Sequence, residues 1–238
     1  MIKGSAAEIL LSMDRAALYR LLTWCSPAFP VGAYSYSHGL EYAVEEGLVK
    51  DRESLTGWIG TLLFHGNGMV DGALFCAAWR AASVGNVAGL KNITELASAF
   101  RSTREIALES AAQGEAFATT VQTAWNVPLL AELAHGRWVR IVYPVAVGVA
   151  CAAVGIPLDP ALQAYLHAFA ANLVSAGIRL IPLGQADGQI AMVTLESVVM
   201  TSAQKAMETP LDELGTATPM MDWASMRHET QHTRLFRS

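Results

Sequence analysis

The chain has 238 residues, of which 53% are hydrophobic and only 16% charged, with a formal net charge of −5. That length allows one large domain or two small ones with a sizeable core. An acidic balance without a Lys/Arg cluster lacks the electrostatic footprint of nucleic-acid binding, and the low charge and mean hydropathy of +0.32 ask for a membrane span or for apolar surface covered by partners.

In chain order, residues 1–12 hold one Lys and an early Glu8, with no long apolar core, so a flexible segment rather than a secretory leader is expected. Leu18, Leu21, Leu22 and Cys25 follow at helical spacing. Asp51 reads as an N-cap ahead of Leu55, Trp58, Ile59 and Leu62 on one stripe. Leu74, Phe75, Ala78 and Trp79 form another. Ile93, Leu96, Ala97 and Phe100 open a helix expected to continue through Ala-rich sequence towards Val121.

Ile141 to Ile156 is the most apolar run. It is shorter than the roughly 20 residues needed to cross a bilayer and is interrupted by Pro144, Gly148 and Gly155, so a buried central helix is expected. With no second strand to pair it, the Val/Ile-rich stretch 139–149 is not read as a strand. Asp159-Pro160 gives an N-cap followed by Pro at the first helical position, leading Leu162, Tyr165, Leu166, Phe169 and Leu173. Ile190, Val193 and Val198 mark a further helix ending before Thr209-Pro210. The expected fold is all-α, a single compact domain over 1–238 with roughly eight to ten helices.

Three segments break this rhythm. In the first, Ser26 to Glu41, the residues Pro27, Pro30 and Gly32 demand an ordered turn dense in hydroxyls, Tyr34, Ser35, Tyr36 and Ser37. Ser37 is placed to cap a helix carrying Leu40, Ala43 and Val44 and stopped by Gly47. Ser37-His38-Gly39 is half of a nucleophile elbow, but without the first Gly or a preceding strand the elbow cannot form. In the second, Arg179 to Gln189, Pro182 ends a helix, and Gly184, Gln185, Asp187, Gly188 and Gln189 suggest a tight polar loop.

The third segment is the tail, about 222–238. His228-Glu229-Thr230-Gln231-His232 matches H-E-x-x-H, so a zinc-dependent hydrolase using His228, Glu229 and His232 is the alternative reading. A catalytic zinc takes three protein ligands, and no His, Asp, Glu or Cys follows His232. The other reading is a docking arm: Met226, Leu235 and Phe236 are wasted in solvent, so the segment is expected to order on a partner with Phe236 as anchor and Arg227, Arg234 and Arg237 pairing carboxylates. His38, His65, His135 and His167 show no mutual ligand spacing and read as capped or surface histidines. Cys25, Cys76 and Cys151, far apart and odd in number, suit a reducing, cytoplasmic setting.

Together the three segments resemble a known family. Ser26-Pro-Ala-Phe-Pro-Val-Gly-Ala-Tyr-Ser-Tyr-Ser-His-Gly-Leu-Glu41 resembles the signature of the UreF family of urease accessory proteins. Ala176 to Gln185 is similar to its second motif, and Ser225 to Gln231 followed by Arg234-Leu235-Phe236-Arg237-Ser238 to its last. The resemblance implies a non-enzymatic, dimer-forming, all-α chaperone that bridges the urease apoprotein and its UreD/UreH-type partner to the nickel-carrying GTPase UreG, and gates that GTPase. It implies no stably bound cofactor, with nickel handled transiently inside the complex. The arm Arg227, His228, Glu229 and Arg234 to Ser238 would dock on the UreD/UreH-type partner. Ser26, Pro27, Pro30, Gly32, Tyr34, Ser35, Tyr36, His38 and Glu41 would form a structural motif, and Arg179, Pro182, Gly184, Gln185 and Gln189 would serve the dimer or the GTPase contact. Two positions depart from the family: His232, commonly aromatic, and Tyr143, often His.

Overall fold

The computed structural model describes residues 13–134 and 140–238; the N-terminal segment 1–12, His135 and Val139 lie outside them. The described residues hold nine α-helices of ten residues or more and two shorter ones, besides two single 3-10 turns: α1 (Arg15–Trp24), α2 (Leu40–Glu45), α3 (Arg52–His65), α4 (Asn67–Ser83), α5 (Val87–Ala99), α6 (Arg104–Trp125), α7 (Pro128–Ala134), α8 (Tyr143–Ala153), α9 (Leu158–Leu180), α10 (Gln185–Glu208) and α11 (Pro219–His228). No strand occurs among the described residues, so the all-α expectation holds.

The apolar run forms α8, buried from Pro144 to Cys151 and flanked by α4 and α6. Glycines set those approaches. A Cβ on Gly148 would lie 2.7 Å from the Phe75 carbonyl oxygen, and one on Gly114 only 2.3 Å from that of Ile141. No helix among the described residues is long and apolar enough to cross a membrane. Helices α9 and α10 fold back on each other through 181–184, and α10 also packs on α3 and α4. Asp51 caps α3 as expected, accepting the Ser54 N–H at 2.8 Å while the Ser54 hydroxyl returns to the cap.

Four local expectations are corrected. The long helix from Ile93 breaks at Phe100: α5 ends at Ala99, and α6 starts afresh with Thr103 accepting the Ile106 N–H. Arg101, in the break, donates from Nε to the Ala97 carbonyl and from its guanidinium to Asp71 at 2.6 Å, a tertiary pull no local signal carries. Helix α9 begins two residues earlier than Pro160, at Leu158, and Asp159 bonds Gln163 instead of capping. In α1 the buried residues are Ala17, Leu21 and Trp24, with Trp24 edge-on to Phe117 and Trp125, while Leu18 and Leu22 face out. Finally, Gln185 to Gln189 are not a loop but the first turn of α10. Gly188 is there because a Cβ would meet Ile178 at 2.4 Å, and Asp187 reaches back to the Gly184 N–H and across to Arg52.

Candidate functional site: a carboxylate cradle for the tail

Helix α6 is mostly apolar on its inner face, yet Glu105, Glu109 and Gln113 sit there at successive i,i+4 positions, all buried. A buried carboxylate must be paired. Glu105 and Glu109, together with Glu41 on α2, find their partners in the tail and in the turn before α2.

Glu41 accepts the backbone N–H groups of Leu235 at 2.6 Å and Phe236 at 2.9 Å. His228, the last residue of α11, has 0% exposure. Its Nε2 meets Glu41 at 3.1 Å and its Nδ1 meets Glu105 at 2.9 Å. With a carboxylate at each ring nitrogen, only the imidazolium can donate to both. Arg234 adds a contact to Glu105 at 3.3 Å. Ser238 donates its hydroxyl to Glu109 at 2.8 Å, and its carbonyl oxygen accepts both the N–H and the hydroxyl of Ser37. The Arg237 N–H donates to the Ser35 carbonyl at 2.7 Å. Thr103 and Ser225 share a buried hydrogen bond of 2.7 Å, tying α11 to α6.

The turn is shaped to receive the tail. Gly32, His38 and Gly39 all have positive φ, and a Cβ on Gly39 would come within 2.7 Å of the Ser225 nitrogen. Ser37 caps loosely: its hydroxyl accepts the Glu41 N–H at 3.4 Å, and the N-cap residue of α2 is Gly39. Gly47, at φ +72°, follows α2 as its stop. Arg179 of α9 joins the second irregular segment to the other two, donating to the Tyr34 carbonyl at 2.8 Å and stacking its guanidinium 4.3 Å from the centre of the Phe236 ring. Asn172 holds the Tyr36 carbonyl at 3.3 Å.

Three segments that are distant in sequence, the first more than a hundred residues from the other two, therefore meet in one place. Pro182 and Gly184 stand apart at the exposed turn between α9 and α10, with Gln185 and Gln189 exposed on the first turn of α10, and Ser26, Pro27 and Pro30 form the outer part of the first turn. His38 is not a surface histidine. It is buried, its Nε2 lies 2.9 Å from Glu109, and its ring meets Phe169 edge-on at 4.9 Å.

The expectation that Phe236 anchors in a partner needs correcting. Phe236 is 3% exposed because the chain's own Arg179 and Glu41 already hold it. What the tail presents outward is Leu235, 61% exposed, with the side chain of Arg237. Beside them is an open concavity of about 400 Å³ lined by Arg104, Arg140, Arg234 and Arg237 together with Glu105 and Glu229, with Leu108 on its wall. Arg140 is paired with Glu115 and Arg234 with Glu105, so the guanidinium groups outnumber the carboxylates of the lining without standing alone. Sequence reading missed Glu105 and Glu109. Their spacing with Gln113 along an otherwise apolar stripe was the available signal.

The metalloprotease alternative fails on geometry. The helix ends at His228, so His232 is not one turn further along the same face, and it is exposed. Both nitrogens of His228 are engaged by carboxylates. Among the described residues no group of three or more His, Cys, Asp or Glu is arranged to hold a metal ion. Burial pushes the Cys25 and Cys76 thiols up to about 12 and Cys151 well above its ordinary value, so these free cysteines are neutral at physiological pH.

Burial works against the charged form of His228, but the hydrogen bonds and charges of Glu105 and Glu41 outweigh it and raise its pKa. His38 behaves likewise with Glu109. A raised folded-state pKa stabilises fully below the unfolded value of about 6.5 and is lost as pH rises through the folded value. The urea midpoint should therefore fall between pH 6.5 and the folded-state pKa values, and His228→Gln should flatten that slope. An unchanged slope would remove His228 as its source.

Residues 49–196 match the family model described as UreF. A relative from Granulibacter bethesdensis is 53% identical over 227 residues, 95% of this chain and 96% of that protein. One from Bradyrhizobium diazoefficiens is 49% identical over 229 residues, covering 96% and 95%. One from Rhodopseudomonas palustris (strain TIE-1) is 48% identical over 234 residues, 98% of each. All three bear the name urease accessory protein UreF, which describes an accessory protein and not an enzyme. With over half its length matched by the family model and nearly all of it by relatives about half identical, the chain belongs to the UreF family.

Proposed function

We propose that the chain is an accessory protein of urease maturation that acts by docking other proteins and catalyses no bond-making. The observation that carries this is the arginine-lined surface beside the tail: a segment fixed from within by Glu41 and Glu105, with Leu235 and Arg237 turned outward. An ordered tail binds without the entropy of folding on contact, and clustered guanidinium groups suit a carboxylate-bearing partner.

In this reading the tail surface receives the UreD/UreH-type partner attached to the urease apoprotein, and a second surface receives the nickel-carrying GTPase UreG, whose action the chain gates. Nickel passes transiently within that assembly as cargo. Helix α10 carries Ile190, Val193 and Met200 exposed along its length, an apolar face that suits a homodimer. Three unpaired thiols suit the cytoplasm.

The test is the nickel content of urease purified from cells lacking this chain. The expected result is apoprotein at normal abundance, with nickel restored when the chain is supplied. Full nickel loading in its absence would contradict the proposal.

A further inference from the structure

Behind the Ser26–His38 turn lies a chamber of about 180 Å³, walled by α4, α6, α8 and α9 and reaching the surface beside the exposed Pro27 and Tyr34. Phe29, Ile106 and Phe169 line it with apolar surface. Three of its lining residues each hold a buried polar atom with no hydrogen-bond partner: Arg101 Nη2, His38 Nδ1 and Ser110 Oγ. The Arg101 side chain is 3% exposed and that of His38 9%. Buried polar groups are rarely left unpaired, and three in residues lining one chamber point to a place for a ligand's polar head.

The chemistry of those atoms selects the ligand. Arg101 Nη2 can only donate. His38, whose Nε2 lies 2.9 Å from Glu109, donates from Nδ1 in its protonated form, which the Glu109 carboxylate favours, and the Ser110 hydroxyl can donate as well. The head must therefore accept hydrogen bonds. Its charge follows from the pairs already formed, Arg101 with Asp71 at 2.6 Å and His38 with Glu109 at 2.9 Å. A cation would face the Arg101 guanidinium. An anion would be buried beside two carboxylates whose countercharges are already spent. A neutral acceptor avoids both penalties.

We propose that this chamber binds a small neutral molecule with a carbonyl or amide head on an apolar body, the head oxygen accepting from Arg101 Nη2, His38 and Ser110. The site is separate from the arginine-lined surface by the tail and does not depend on the reading of that surface.

Three isosteric probes decide the class on the full chain: benzamide, benzoate and benzamidine, neutral, anionic and cationic in turn. Binding is followed by ligand-observed NMR and by a crystal soaked with each. Benzamide is expected to bind with a Kd on the order of 1 mM, its oxygen within hydrogen-bond distance of Arg101 Nη2, and both charged probes at least about tenfold more weakly. Arg101→Met should abolish binding, but it also strands Asp71 and threatens the fold. Ala171→Leu, which fills the chamber from a half-buried position and leaves both ion pairs intact, should weaken benzamide at least about tenfold while unfolding cooperatively. Failure of all three probes to bind at 10 mM (~10 Kd), equal or tighter binding of a charged probe, or undiminished benzamide binding by Ala171→Leu would each overturn the proposal.

Discussion

Glu41→Ala is expected to destabilise the fold by about 3–5 kcal/mol, the range for breaking a buried ion pair from one side. The carboxylate does three things at once. It accepts two backbone N–H groups of the tail and faces one nitrogen of a fully buried imidazole. Alanine leaves the Leu235 and Phe236 amides and one edge of His228 without an acceptor, in a place water does not reach easily. Glu41→Gln keeps the shape and one acceptor oxygen and should cost less, about 1–3 kcal/mol. Urea unfolding gives both values. Hydrogen exchange supplies the local signature: the amides of Leu235 and Phe236 should lose protection before the rest of the fold. An alanine variant within about 0.5 kcal/mol of the parent would mean that the cradle is not what fixes the tail.

The second large effect separates holding the tail from using it. Removing Arg234 to Ser238 would confuse the two, because it withdraws the Phe236 ring and the partners of Glu41 and Glu109 together with the outward side chains. The double change Leu235→Asp with Arg237→Glu keeps the bonded backbone N–H groups and alters only side chains that face solvent. Its stability should stay within about 0.5 kcal/mol of the parent. Affinity for the proposed UreD/UreH-type partner should fall about a hundredfold, at about 1.4 kcal/mol for each side chain. The sign reversal at position 237 adds repulsion where clustered guanidinium groups had favoured carboxylates.

Much of the helical framework could be read from the sequence, because period and caps are local. Asp51 begins α3, and the run after Ile141 is a buried helix. What could not be read depends on contacts distant in sequence. The break between α5 and α6 is set by Arg101 reaching Asp71, thirty residues earlier. In α1, leucines occur on more than one face, and only the packing of Trp24 against Phe117 and Trp125 decides which side turns inward. The tail shows the same limit in its function. Phe236 correctly signalled a need for cover, but its cover is Arg179 and the Glu41 cradle of the same chain, leaving Leu235 as the outward residue. The cradle itself was partly visible in Glu105, Glu109 and Gln113 at i,i+4 spacing. Such a stripe reads as solvated until its apolar flanks are weighed.

Light scattering on a mixture of the purified chain and the proposed UreD/UreH-type partner tests most directly whether this protein works as a docking scaffold. The parent chain should give a single species with the summed mass of the two proteins in a whole-number ratio. The Leu235→Asp, Arg237→Glu chain should leave both proteins at their separate masses under the same conditions. A complex of undiminished affinity with that variant would contradict the role assigned to the tail surface, and no complex with the parent chain would contradict the scaffold itself.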